Sequence, residues 1–170
     1  QSGNLGTTMP LDNLRGLYQQ VILERYKKPR NFGRVNPVHR HQRGHNPSCG
    51  DTIDLTLQLD PNQERIVDIK FEGEGCAIAM ASADLMADAV RGRTIPEALQ
   101  LVERFQAMMR GGEEFPREYR SLNAMKGVAQ FPVRIKCANL AWHALKHALQ
   151  SPATDDSVEE PGFVSNESID

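Results

Sequence analysis

Residues 45–57 read HNPSCGDTIDLTL, and this stretch decides the fold. Its second half alternates, with Ile53, Leu55 and Leu57 apolar and Thr52, Asp54 and Thr56 polar. A period of two places the apolar set on one buried face of a β-strand. Its first half is a turn that delivers Cys49, Gly50 and Asp51 in a row. Glycine tolerates positive φ, so a thiol and a carboxylate on either side of it can fold toward each other. Two readings stand side by side: Cys49 is a small apolar filler and Asp51 a turn residue, or both face one metal ion.

Outward from this strand, DPNQ at 60–63 is a turn, and RIVDIKFEG at 65–73 alternates again with imperfect phase. The pair predicts an antiparallel hairpin. GEGC at 73–76 breaks the second strand, and a helix is expected from near Cys76 to Gly92. A second follows, with Thr94 as N-cap and Pro96 in its first turn. Residues 117–132 read as a weaker helical stretch, and 133–150 as a closing helix with an apolar face of Leu140, Ala141, Ala144, Leu145 and Ala148. Before the hairpin, Leu11, Leu14, Leu17, Tyr18, Val21 and Ile22 recur at helical spacing up to a stop at Pro29. Residues 27–50 are predicted as basic loop with at most a short strand near Val35. Strands followed by helices give an α+β class, a small antiparallel sheet with helices packed on one face.

The domain is expected over residues 9–150. Residues 1–8, QSGNLGTT, read as an appended remnant outside the fold. Residues 151–170 form a polar tail, expected to be disordered, with six acids and no base after Ala153. Removing those six charges from the formal net of −2 leaves the body at +4. No dense basic cluster with interleaved aromatics is present, which argues against nucleic acid. No apolar run approaches the roughly 20 residues that span a bilayer, and the expected location is the cytoplasm.

The three cysteines, Cys49, Cys76 and Cys137, make an odd count that no disulfide scheme satisfies. Cys49 enters the first hairpin strand and Cys76 leaves the second, so the hairpin brings the two together. Only the tertiary fold can deliver Cys137. With Asp51, three thiolates make four ligands, the number zinc takes, and the set also suits iron. Cys76 at a helix N-terminus, and Cys137 behind Arg134 and Lys136, both sit where thiolate is favoured. Free cysteine is also among the most buried residue types, and the set lacks a CxxC pair, so spacing alone leaves filler and ligand both open. His39, His41 and His45 read as solvated loop, although His45 is near enough to reach Cys49. His143 and His147 read as helix surface, and Met80, Met86, Met108 and Met109 as core packing.

YKKPRNFG, NPSCGDTIDLTL, FEGEGCAIAMASADLMAD and RIKCANLAWHAL, in this order, resemble the U-type iron–sulfur cluster assembly proteins (the IscU and NifU N-terminal family) over Leu11 to about Gln150. An extra stretch between the second and third cysteines, and Lys136 where the IscU scaffolds carry histidine, make the SufU branch the nearer one. The resemblance implies a three-stranded sheet with a metal site at one end, ligated by Cys49, Asp51, Cys76 and Cys137. It implies Zn²⁺ as cofactor, Cys49 as acceptor of persulfide sulfur from a SufS-type cysteine desulfurase, and delivery to a SufBCD-type assembly complex. Partner docking is expected near the basic loop from Arg40 to Cys49. The alternatives are a scaffold that builds a transient [2Fe–2S] cluster on the same cysteines, disfavoured by Lys136, and a zinc-stapled interaction domain without turnover.

Overall fold

A computed structural model describes residues 10–151 and 162–165, with side chains described from Tyr18 to Ser151. Helix α1 spans Pro10–Lys27, strand β1 Arg40–Asn46, β2 Asp51–Leu59 and β3 Ile66–Glu74. Helices α2 (Ala77–Val90), α3 (Ile95–Met109) and α4 (Pro132–Gln150) follow, with a 3₁₀ segment, Arg117–Gln130, between the last two. Strand β4, Gly162–Ser165, closes the order.

The hairpin forms as its alternation predicts. Leu55 faces Phe71 and Leu57 faces Ile69 across β2 and β3. The imperfect phase of the second strand has a physical cause: the register shifts between Gln58 and Leu59, so one irregular step separates two well-phased halves. Ile53, Leu55, Leu57, Ile69 and Phe71 point to one face and are buried there. Helices α2 and α4 lie on that face. Trp142 of α4 is fully buried and stacks on Phe105 of α3 with ring centroids 4.4 Å apart.

Residues 40–46, expected as loop, are a strand. β1 pairs antiparallel with the whole first part of β2, from Arg40 opposite Leu57 to Asn46 opposite Asp51. Its sequence, RHQRGHN, has no β-branched or aromatic residue, so propensity gave no signal. Tertiary packing overrides it. Alternate residues Arg40, Gln42, Gly44 and Asn46 are buried on the helix side. Arg40 Nε donates to Ala148 O of α4 at 3.1 Å. No strand forms at Val35. Instead Val35 is buried against the opposite face, its N–H donated to Thr56 Oγ1 at 3.1 Å.

The three antiparallel strands are ordered β3–β2–β1, and β4 extends the sheet in parallel alongside β1. Gly162–Ser165 of the tail is therefore paired, against the expectation of disorder; residues 152–161 and 166–170, and the remnant at 1–8, lie outside the described residues.

Helix α3 starts as predicted, with Thr94 Oγ1 accepting from Glu97 N and the Glu97 carboxylate accepting from Thr94 N. Such a reciprocal cap contributes about 1 kcal/mol. The weaker helical stretch takes the 3₁₀ form and is kinked at Tyr119. The PRN of the YKKPRNFG motif is clamped onto α2 by Asp84, a fully buried carboxylate. Asp84 accepts from Arg25 Nη1 at 2.7 Å and from the backbone N–H groups of Arg30 and Asn31 at 2.9 and 2.8 Å. Among the described residues no helix is long and apolar enough to cross a membrane.

Candidate metal centre

The end of the sheet where β1 stops and β2 starts carries the site. The backbone carbonyl of Asn46 accepts from both Cys49 N and Gly50 N, at 3.3 and 2.8 Å, closing the turn between the strands. Gly50 has φ of +74° with open space where a Cβ would lie. It is needed for backbone conformation and not for room. Across the sheet end, Gly75 passes so close to Asp51 that an added Cβ would overlap its carboxylate.

Each donor has its own anchor. Asp51 is fully buried; its Oδ1 accepts from Cys76 N at 2.9 Å and its Oδ2 from Asn46 Nδ2 at 3.3 Å. Cys76 is the N-cap of α2, with its sulfur accepting from Ala79 N at 3.5 Å. Cys137 stands in the second turn of α4, where Asn46 Nδ2 lies 3.7 Å from its sulfur. Two features bring α4 to this position. Gly44 lets the helix lie against β1, since a Cβ there would come within 3.1 Å of Leu140. On the other side, Ser82 Oγ of α2 donates to Ala138 O at 2.7 Å and accepts from Trp142 Nε1 at 3.1 Å.

The result is convergence. The Cys137 and Cys49 sulfurs are 3.2 Å apart. Cys49, Asp51 and Cys137 offer ligand atoms that all lie within 4.8 Å of one another. Cys76 falls outside that set of three and is tied to it through its backbone N–H, which donates to Asp51 Oδ1. Cys137 is fully buried at the edge of the hydrophobic core, with its sulfur turned to that of Cys49.

The electrostatics follow from these contacts. The Cys76 thiol is pulled down to about 6, chiefly by the hydrogen bond from Cys137 and, against the opposing effect of burial, by the Ala79 N–H. The same bond to Cys76, with burial second, pushes the Cys137 thiol up. Arg134, exposed one turn before Cys137, has its guanidinium held further above its usual range by contact with the Cys137 sulfur and by the Cys76 charge. Three thiol groups and a carboxylate, two of them fully buried, form a donor set that fits a soft or borderline dication such as zinc.

The histidines stay outside this group. His39 Nδ1 accepts from Leu59 N at 2.9 Å. His41 is not solvated loop: its side chain is buried on the outer sheet face against Asp54. His45 points to the face opposite Asn46, as strand alternation requires. His143 is buried and not at the helix surface, with its pKa pushed down to about 4 by burial and then by the nearby charges of Lys146 and His147. Sequence reasoning missed Asn46, which touches three of the four donors. Its only signal was a polar residue just ahead of the turn, which any turn explains.

Comparison with known proteins bears directly on this arrangement. The model of the NifU-like N-terminal domain matches residues 17–154. The chain belongs to the NifU-like N-terminal domain family. Its relatives include a zinc-dependent sulfurtransferase SufU from Bacillus subtilis, 46% identical over 79% of this chain and 90% of the relative. The iron–sulfur cluster assembly scaffold protein IscU of Streptococcus pyogenes is 41% identical over 89% of this chain and 98% of the relative. Among solved structures, the putative iron–sulfur cluster assembly scaffold protein for the SUF system from Fervidobacterium islandicum superposes with a TM-score of 0.73 at 34% identity, over 80% of this chain and 98% of that one. This NifU-like domain therefore shares its α+β fold with the solved relatives, with β4 lying beyond the matched region.

Proposed function

We propose that this NifU-like domain is an iron–sulfur cluster assembly protein that relays sulfur. Cys49, Asp51, Cys76 and Cys137 hold one Zn²⁺, and Cys49 accepts sulfane sulfur from a SufS-type cysteine desulfurase for delivery to a SufBCD-type complex. The observation that carries this reading is the convergence of two sulfurs and one buried carboxylate, with Cys76 tied to that carboxylate through its backbone N–H. Zinc, when bound, keeps the thiols deprotonated and shields them from oxidation.

The anchors single out Cys49. Asp51, Cys76 and Cys137 each have a contact from a backbone or amide N–H. The Cys49 sulfur instead lies 3.2 Å from that of Cys137. It is also half-buried, on a turn rather than a helix. A nucleophile for a protein-bound persulfide must be accessible and movable, and Cys49 meets both needs. Its thiolate attacks the outer sulfur of the donor persulfide, the donor S–S bond breaks, and the electron pair leaves with the donor cysteine as thiolate. Cys49 then carries the persulfide, and no external oxidant or reductant is consumed.

The 41% identity to a relative named as an IscU scaffold supports a second reading, in which the same donors hold a [2Fe–2S] cluster as cargo. Lys136, next to Cys137, is a poor cluster ligand and favours the relay. One preparation separates the readings. The chain is purified without oxygen, its metal and sulfide are measured, and a SufS-type desulfurase is assayed with and without it. One zinc per chain with faster desulfurase turnover is expected. Iron and sulfide in equal amounts would establish the scaffold, and zinc without any change in turnover would leave a zinc-stapled interaction domain.

A further inference from the structure

We infer that Asn46 is a positioning residue of the metal centre, an amide clamp that ties Asp51 to Cys137 and shares the excess negative charge of the donor set. The inference rests on the proposal that these four residues hold a dication.

Three placements carry it. Asn46 is the last residue of β1, directly opposite Asp51 in the register. Its backbone carbonyl holds the turn that carries Cys49. Its side-chain Nδ2 faces both the Asp51 carboxylate, at 3.3 Å, and the Cys137 sulfur, at 3.7 Å. One residue therefore organises all three donors of the compact set.

The amide orientation is dictated by chemistry. An NH₂ group has two protons, one for each anion. Turned the other way, Oδ1 would face a carboxylate oxygen, acceptor against acceptor. In the orientation that suits the anions, Oδ1 is fully buried and has no donor among the described residues. A side chain kept only for stability would not leave a buried carbonyl oxygen unpaired, because that group loses its water without compensation. The orphaned oxygen marks Asn46 as serving the donors. Three thiolates and a carboxylate carry four negative charges against two on the cation. Two N–H dipoles directed at two of them offset part of that excess, and outer-shell partners of this kind commonly change metal affinity by about 10- to 100-fold.

The test reads the metal and not the reaction. Zinc affinity is measured by competition with a chromogenic chelator for the wild-type chain, Asn46→Ala and Asn46→Asp, with thermal melts of each metal-free form alongside. Asn46→Asp keeps the shape and replaces the donor by a charge. Both variants are expected to bind zinc about 10- to 100-fold more weakly, with Asn46→Asp the weaker. With Co²⁺ as probe, the thiolate-to-metal charge-transfer band of Asn46→Ala should move to longer wavelength, because a sulfur relieved of its N–H gives up charge more easily. Zinc affinity and cobalt spectrum unchanged in both variants would overturn the role of Asn46. A wild-type chain that binds neither metal would instead overturn the metal site itself. If Asn46→Ala unfolds, Asn46→Asp decides alone, and wild-type affinity in it contradicts the clamp.

Discussion

Cys49→Ser is expected to abolish sulfur uptake, leaving desulfurase turnover at the level seen without this chain. The side chain keeps its size and loses its sulfur, so the turn held by Asn46 O persists while the acceptor atom is gone. A serine hydroxyl is scarcely ionised at neutral pH and does not displace a thiolate from a persulfide. The measurement is transfer of radiolabelled sulfur from a loaded SufS-type desulfurase, followed on non-reducing gels. Cys76→Ser and Cys137→Ser should also lose transfer, but through loss of zinc. Cys49→Ser alone should retain a fraction of the metal, because Asp51, Cys76 and Cys137 keep their own anchors. Label that still accumulates on Cys49→Ser at the wild-type rate would move the acceptor to another sulfur.

The second large effect concerns the fold. Asp84→Ala removes a fully buried carboxylate that accepts from the Arg25 guanidinium and from two backbone N–H groups. Arg25 retains Asp88, at 2.6 Å, but the Arg30 and Asn31 amides lose their acceptor in a buried place. Breaking one side of such a network costs about 3–5 kcal/mol. For a domain of this size that is a fall in Tm of roughly 10 °C or more. Calorimetry of the zinc-loaded chain gives the answer. A Tm within two or three degrees of wild type would show that Asp88 alone neutralises Arg25 and that the loop amides find water. Because Asp84 lies two turns along α2 from Cys76, the same variant should loosen the metal centre only as far as it loosens α2.

How much of this was legible beforehand depends on where the determining contacts lie along the chain. The hairpin was legible because Ile53, Leu55 and Leu57 carry a local period of two, and the Thr94–Glu97 cap because its partners are three residues apart. The hairpin alone brings the Cys76 backbone to Asp51, but the Cys76 sulfur stays outside the compact set that holds Cys49. Strand β1 was hidden because Arg40, Gln42, Gly44 and Asn46 are buried by α4, about a hundred residues away, and nothing in RHQRGHN announces that burial. Cys137 was hidden for the same reason. What delivers it is the absence of a side chain at Gly44 and the hydroxyl of Ser82, neither of which carries a pattern. Residue type offered the four donors as one reading beside core filler, family resemblance implied them as ligands, and the geometry brings three of them into one compact group with Cys76 attached through its backbone N–H to Asp51. His41 and His143 were misplaced on the surface because burial of an imidazole depends on its tertiary neighbours and leaves no local trace.

X-ray absorption at the zinc edge of the chain as purified counts the atoms around the metal directly. Convergence of Cys49, Asp51, Cys76 and Cys137 on a single ion predicts one zinc per chain with three sulfur neighbours and one oxygen. One sulfur or none in that shell, or zinc held entirely by nitrogen and oxygen, would contradict it.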